Sequence, residues 1–218
     1  MEDNQLIEKI KQIVYAQFET DATGHDWYHI DRVYQMAINL QSKEGGDLFL
    51  IQLGALLHDI SDHKFNGGSA TLGGETAYNL LIENGLDKER AFKVKLIVNQ
   101  ISYKGANVLD ETNSIESKIV QDADRLDAIG AIGIARAFAY GGNKNSPIYD
   151  PSFPPILHAT FEEYKNAKSH TINHFYEKLL LLTNKLHTSS AKEIGQHRHQ
   201  YLELFLNEFM GEWNFKSN

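Results

Sequence analysis

The chain contains no cysteine. That absence removes disulfide scaffolds, thiol nucleophiles and zinc ribbons together. Proline is scarce, with 4 in 218 residues, and Pro147, Pro151, Pro154 and Pro155 all fall in one short stretch. Positive charge is in deficit: 21 Lys and Arg face 29 Asp and Glu, a formal charge of −8. Gripping a nucleic-acid backbone or an anionic membrane depends on clustered Lys and Arg, so the balance argues against both partners. No apolar run approaches the ~20 residues that span a bilayer. The first residues, Met1-Glu2-Asp3-Asn4-Gln5, are polar and acidic rather than secretory. The expectation is a cytoplasmic globular protein, and 42% hydrophobic residues suffice for a packed core.

What is present is helical periodicity. Leu6, Ile10, Ile13, Val14 and Phe18 share a 3.6-residue stripe over roughly the first 19 residues. Ile30, Val33, Ala37 and Leu40 repeat it, and Gly45-Gly46 stops that helix. The segment LFLIQLGALL, Leu48 to Leu57, is apolar on nearly every side and predicts a helix buried all round. Helices ending near Leu81 and Ile101 follow, then a long helical stretch from about Ile115 to Tyr140. The proline-containing segment, about 143–157, predicts a surface loop or lid. Beyond it, Phe175, Leu179, Leu182 and Leu186 form one stripe, and Leu202, Phe205, Phe209 and Trp213 another. No alternating strand pattern of useful length occurs. The prediction is one all-α domain over 1–218, with C-terminal helices over about 158–215.

The chemistry starts at His58-Asp59, which ends the most apolar helix of the chain. A carboxylate there is penalised unless it is paired or bound to a metal. Alone, the pair reads as a core histidine beside a salt-bridged acid. The run QDADRLDAIGAIG supplies acids on another helix, with Asp124 and Asp127 one turn apart. Its small residues predict close approach to a neighbouring helix. A third helix carries His29 beside the core-facing Ile30, with His25 and Arg32 at i−4 and i+3. Taken together, one imidazole from this helix, His58-Asp59 and Asp124 offer two nitrogens and two oxygens, whose carboxylates balance a divalent charge. Such a set suits Mn, Fe, Co, Ni or Zn better than the all-oxygen shells of Ca or Mg. Six-coordination leaves two positions, one for a nucleophilic water and one for a substrate oxygen.

In this order, His29, His58-Asp59 and Asp124 resemble the H…HD…D signature of the HD-domain metal-dependent phosphohydrolases. The blocks GHDWYHIDRV, LLHDISDHKF, ISYKG and QDADRLDAIGAIGIARAF, a motif core over about 20–140, resemble one bacterial branch of that superfamily. The branch consists of single-domain, all-α helical bundles associated with nucleotide pyrophosphate hydrolysis. The resemblance implies His29, His58, Asp59 and Asp124 as ligands of one divalent ion, manganese first, with Co, Ni, Fe, Zn or Mg as alternatives. It implies Asp62 as a catalytic carboxylate that orients the metal's water or, as general base, deprotonates it; the competing roles are a helix cap or a solvent-facing side chain. Arg32, Lys64 and Lys104 are the cations that these motifs place near the metal, where phosphoryl transfer needs positive charge, and solvated surface roles compete for each. Asp127 is a candidate to orient Arg125, to contact a ribose, or merely to be an i,i+3 partner on the helix face of Asp124.

The implied activity is hydrolysis of a (deoxy)nucleoside triphosphate to monophosphate and pyrophosphate. Its alternatives are a 5′-nucleotidase acting on nucleoside monophosphates and a catalytically silent nucleotide sensor. The partner is a small nucleotide, and an oligomer is compatible with the sequence. Two decoys fall away. His25-Asp26-Trp27-Tyr28-His29 imitates a zinc-protease motif, but its Asp is short and the motif leaves His58, Asp59 and Asp124 unexplained. His197-Arg198-His199 sits in a polar helical segment and reads as a solvated face.

Overall fold

Buried stripes decide where the helices pack. In α1 (Asp3–Phe18), Leu6, Ile10, Val14 and Phe18 are buried along one face. α2 (Trp27–Glu44) starts at Asp26, whose side chain caps it, and stops at Gly45, where φ is +80°. α3 (Leu48–Leu57) is capped by Asp47, whose carboxylate accepts from Phe49 N and Leu50 N, and buries everything from Leu53 to Leu57. α4 (Leu72–Glu83) and α5 (Lys88–Ile101) pack on each other, and α3 packs on α1, α2 and α5. α6 (Ile115–Asp127) follows.

This computed structural model describes residues 2–19, 26–60, 72–101, 112–157 and 169–215, which are helical without a strand among them. The fold is thus the all-α class that the periodicity predicts. The described residues form two compact units, one ending at Asp124 and one beginning at Arg125.

In the first unit, α3 is the central element, and Gly54 is the reason it fits. A Cβ on Gly54 would stand 2.8 Å from Ile97 Cγ2 and 3.4 Å from Val120 Cγ2, so a side chain is shut out by α5 and α6 together. α6 is fastened at both ends of this stretch. The Glu116 carboxylate accepts from Asp47 N at 3.0 Å, and the Gln121 amide donates to the Gln100 carbonyl at 2.8 Å. These contacts set α6 against the start of α3 and the end of α5.

In the second unit, the predicted long helix from Ile115 to Tyr140 is instead two helices. α6 ends at Asp127, and α7 (Gly130–Asn143) begins after a break in which Ile129 is extended and Gly130 has φ +75°. The small residues of AIGAIG serve this break: a Cβ on Gly133 would lie 2.2 Å from the Ala128 carbonyl oxygen. Next come α8 (Thr171–His174), a π turn (Phe175–Leu179), α9 (Leu180–Leu182), a 3-10 turn (Thr183–Lys185) and α10 (Ser189–Trp213). Phe175, Leu179, Leu182 and Leu186 are all buried despite the change of helical period. The second predicted stripe is only partly covered: Leu202 is buried, while Trp213 is 44% exposed.

The proline-containing segment is tied down over its described part. Thr171 N donates to Pro147 O, Ile172 N to Ile148 O, Asn173 Nδ2 to Phe153 O, and Ile156 N to the buried Glu177 carboxylate. These bonds explain why a segment lacking helix and strand holds one course over its described part. One correction concerns Arg198. It is half-buried rather than part of a solvated face: its guanidinium donates to the Leu126 carbonyl at 2.6 Å, where α6 ends, and its stem lies against Gly130. Burial lowers its pKa, with Asp127 opposing.

Candidate metal centre

His29 stands at the third position of α2, and the cap fixes it there. The Asp26 carboxylate accepts from His29 N at 2.8 Å, satisfying a donor that the first helical turn leaves open. The hydrophobic stripe of α2 then turns the imidazole inward, where it is completely buried. His58 follows the last residue of α3 and keeps a helical backbone, while Asp59 belongs to the turn beyond. Asp124 comes from α6. Three helices of one unit therefore deliver the four side chains.

The imidazole edges meet. His29 Nε2 and His58 Nε2 are 3.2 Å apart, with ring planes at 74°. Asp59 Oδ2 lies 3.4 Å from the first and 3.5 Å from the second. Asp124 Oδ1 lies 3.6 Å and 3.9 Å from the same nitrogens. Among the described residues, donor atoms of His29, His58 and Asp59 fall within 4.8 Å of one another, and Asp124 faces both imidazoles from the third helix.

The tautomer of His58 follows from one bond. Its Nδ1 is 2.7 Å from the Ala55 carbonyl oxygen, which only accepts, so Nδ1 carries the hydrogen. In the neutral ring Nε2 then presents a lone pair toward the cluster, the arrangement by which an outer hydrogen bond orients a ligating histidine. The nitrogen–oxygen separations of 3.4–3.9 Å are long for hydrogen bonds. Most instead match the edges of a ligand polyhedron, about 3–3.6 Å when bonds to the ion are about 2.0–2.2 Å. The donor set of two imidazoles and two carboxylates thus fits a divalent transition metal.

Burial gives the cluster a closed and an open side. The His29 and His58 side chains are 0% and 1% exposed, whereas those of Asp59 and Asp124 are 17% and 32% exposed. An ion seated there is reached past the carboxylates.

The remaining candidates are placed as follows. Arg32 is half-buried on α2, one turn beyond His29. Asp127 is buried, and its carboxylate accepts from Arg136 at 2.8 Å. Arg125 donates to the Lys185 carbonyl and meets His187 Nε2 at 3.3 Å. Asp62, Lys64, Lys104 and the decoy His25 lie outside the described residues. Sequence reasoning passed over Asp26 and the Ala55 carbonyl as supports of the two histidines. The first was findable, because Asp before a helical stripe is a capping signal; the second lies three residues before His58 at a helix end.

With the geometry in hand, the comparisons agree. The HD domain family model matches residues 26–129, which include all four donors. A solved HD-superfamily hydrolase from Bacillus thuringiensis is 43% identical, with a TM-score of 0.74, covering 97% of this chain and 98% of its own. A Lactobacillus plantarum structure is 33% identical with a TM-score of 0.87, covering 99% of this chain and 100% of its own. Bacillus subtilis YpgQ is 35% identical over 95% of this chain and 94% of its own. YpgQ has been solved in complex with ADP, and that structure aligns with a TM-score of 0.74, 33% identity and coverage of 94% and 97%.

Proposed function

This chain belongs to the HD superfamily of metal-dependent phosphohydrolases, and we propose that it hydrolyses nucleoside triphosphates to the monophosphate and pyrophosphate. The observation that carries the reading is the convergence of two buried imidazole nitrogens on two part-exposed aspartates. The ADP complex of YpgQ supports a nucleotide as the ligand class.

In this reading His29, His58, Asp59 and Asp124 hold one divalent ion, manganese before Co, Ni, Fe, Zn or Mg. The ion supplies Lewis acidity to a phosphoryl oxygen and makes water a competent nucleophile at neutral pH. The chain's own residues do the rest. The buried imidazoles keep one side of the site dry. Arg32, Lys64 and Lys104 neutralise the non-bridging oxygens, which phosphoryl transfer demands of any catalyst. Asp62 takes the proton of the attacking water. The water oxygen bonds to the α phosphorus, the bond from that phosphorus to the α–β bridging oxygen breaks, and pyrophosphate leaves with the bridging oxygen. Asp127, held by Arg136, is the proposed ribose contact. The whole of 1–218 is proposed to work as one HD-type domain.

Anion-exchange chromatography of a deoxynucleoside triphosphate incubated with the protein and manganese tests the reaction. Monophosphate with pyrophosphate is expected. Nucleoside with triphosphate moves the cleavage to another bond. Cleavage of monophosphates alone indicates the 5′-nucleotidase, and binding without turnover indicates a sensor.

A further inference from the structure

The turn that carries His58 and Asp59 is not held by α3 alone. Beyond Leu57 the turn is closed by Ile60 N donating to Leu57 O at 3.1 Å. The far side is held from α1: the Gln17 amide donates to the Ile60 carbonyl oxygen at 2.9 Å, across 43 residues of sequence. Gln17 stands in the last turn of α1, next to Phe18, whose buried ring ends the stripe that packs this helix in the core. The Ile60 side chain is itself buried. The two ligands are thus bracketed by α3 on one side and a residue fixed to the Gln17 amide on the other.

We propose that Gln17 is a positioning residue of the metal centre, fixing the Ile60 carbonyl so that the preceding carboxylate of Asp59 faces the two imidazoles. The proposal rests on the metal reading above and extends the site beyond the region 26–129 that the family model matches. The bond has a direction. A carbonyl only accepts, so position 17 must donate, and this separates positioning from mere bulk. Gln17 is exposed, so replacing it leaves the core intact.

The test is manganese affinity, read from the electron paramagnetic resonance signal of the free ion during titration of the metal-stripped protein. Gln17→Ala and Gln17→Glu are expected to bind about three- to tenfold more weakly, the scale of one net hydrogen bond. Gln17→Arg, which still donates, is expected to stay within about twofold of the parent. Thermal melts in chelator check that all variants fold alike. Parental affinity in all three variants overturns the proposal, and so does equal weakening of the Arg and Glu variants. If the parent binds no manganese, or His58→Ala binds as well as the parent, the metal reading fails and the role of Gln17 falls with it. Parental affinity in Gln17→Ala beside lost binding in His58→Ala overturns Gln17 alone.

Discussion

A buried imidazole can ligate only through the nitrogen that is left without a hydrogen, and for His58 the Ala55 carbonyl makes that choice. In the proposed metal site this ring would need no change of tautomer on binding. Asp62 is a different kind of residue. It follows Asp59 by three positions and His58 by four, and its proposed work is on the proton of the attacking water. Asp62→Asn should therefore lower turnover by about 10²-fold, the scale of a general base. Manganese stoichiometry by elemental analysis should match the parent, because the four donors are elsewhere. Steady-state rates beside metal content check both halves; normal turnover returns Asp62 to a cap.

At the scale of elements, the site depends on how α6 meets α3. Gly54 permits the approach, and Glu116 fastens it by accepting from Asp47 N. Burial pushes the Glu116 pKa up, but the Asp47 N–H, the helix backbone, the Ser114 hydroxyl and Lys93 together outweigh it, so the net shift is downward. A carboxylate whose folded pKa is depressed stabilises the fold above its unfolded pKa, near 4.3, and that contribution is lost as pH falls through the lower folded value. Glu116→Gln should cost about 0.5–1 kcal/mol at pH 7, discounted because the group is only partly buried. The difference from the parent should shrink below about pH 4. Urea midpoints of both proteins between pH 3 and pH 7 check it. A gap that stays constant with pH shows that the charge is not involved.

At the scale of the whole molecule, all four donors belong to the unit that ends at Asp124, and the second unit begins one residue later. Metal stabilises what binds it, by about 2.7 kcal/mol at a hundredfold excess over Kd. If 1–218 unfolds as one HD-type domain, calorimetry shows a single transition that manganese raises by about 5–10 °C. Asp124→Ala should keep the helical circular dichroism and lose the response to manganese. Two transitions, of which manganese moves one, would show that the units unfold separately. No helix among the described residues is long and apolar enough to cross a membrane.

The helical class and most helix positions follow from the residues alone, because a 3.6-residue stripe states which face is buried wherever the partner lies. α3 runs from Leu48 to Leu57, the predicted segment, for that reason. The acids among the four proposed ligands stood out in the sequence too, since a carboxylate beside an apolar helix needs a compensating charge. The break between α6 and α7 was not. AIGAIG reads equally as a close-packed helix face, and only the positive φ of Gly130 and the Ala128 carbonyl beneath Gly133 decide for a turn. The inward Arg198 and the strapped proline segment were hidden likewise: Arg198 donates to a carbonyl 72 residues away, and the carbonyls of the proline segment accept from donors at 171–173. Gln17 is the clearest case. A backbone carbonyl has no signature in the sequence, so the bond from Gln17 to Ile60 exists only once α1 and α3 have packed.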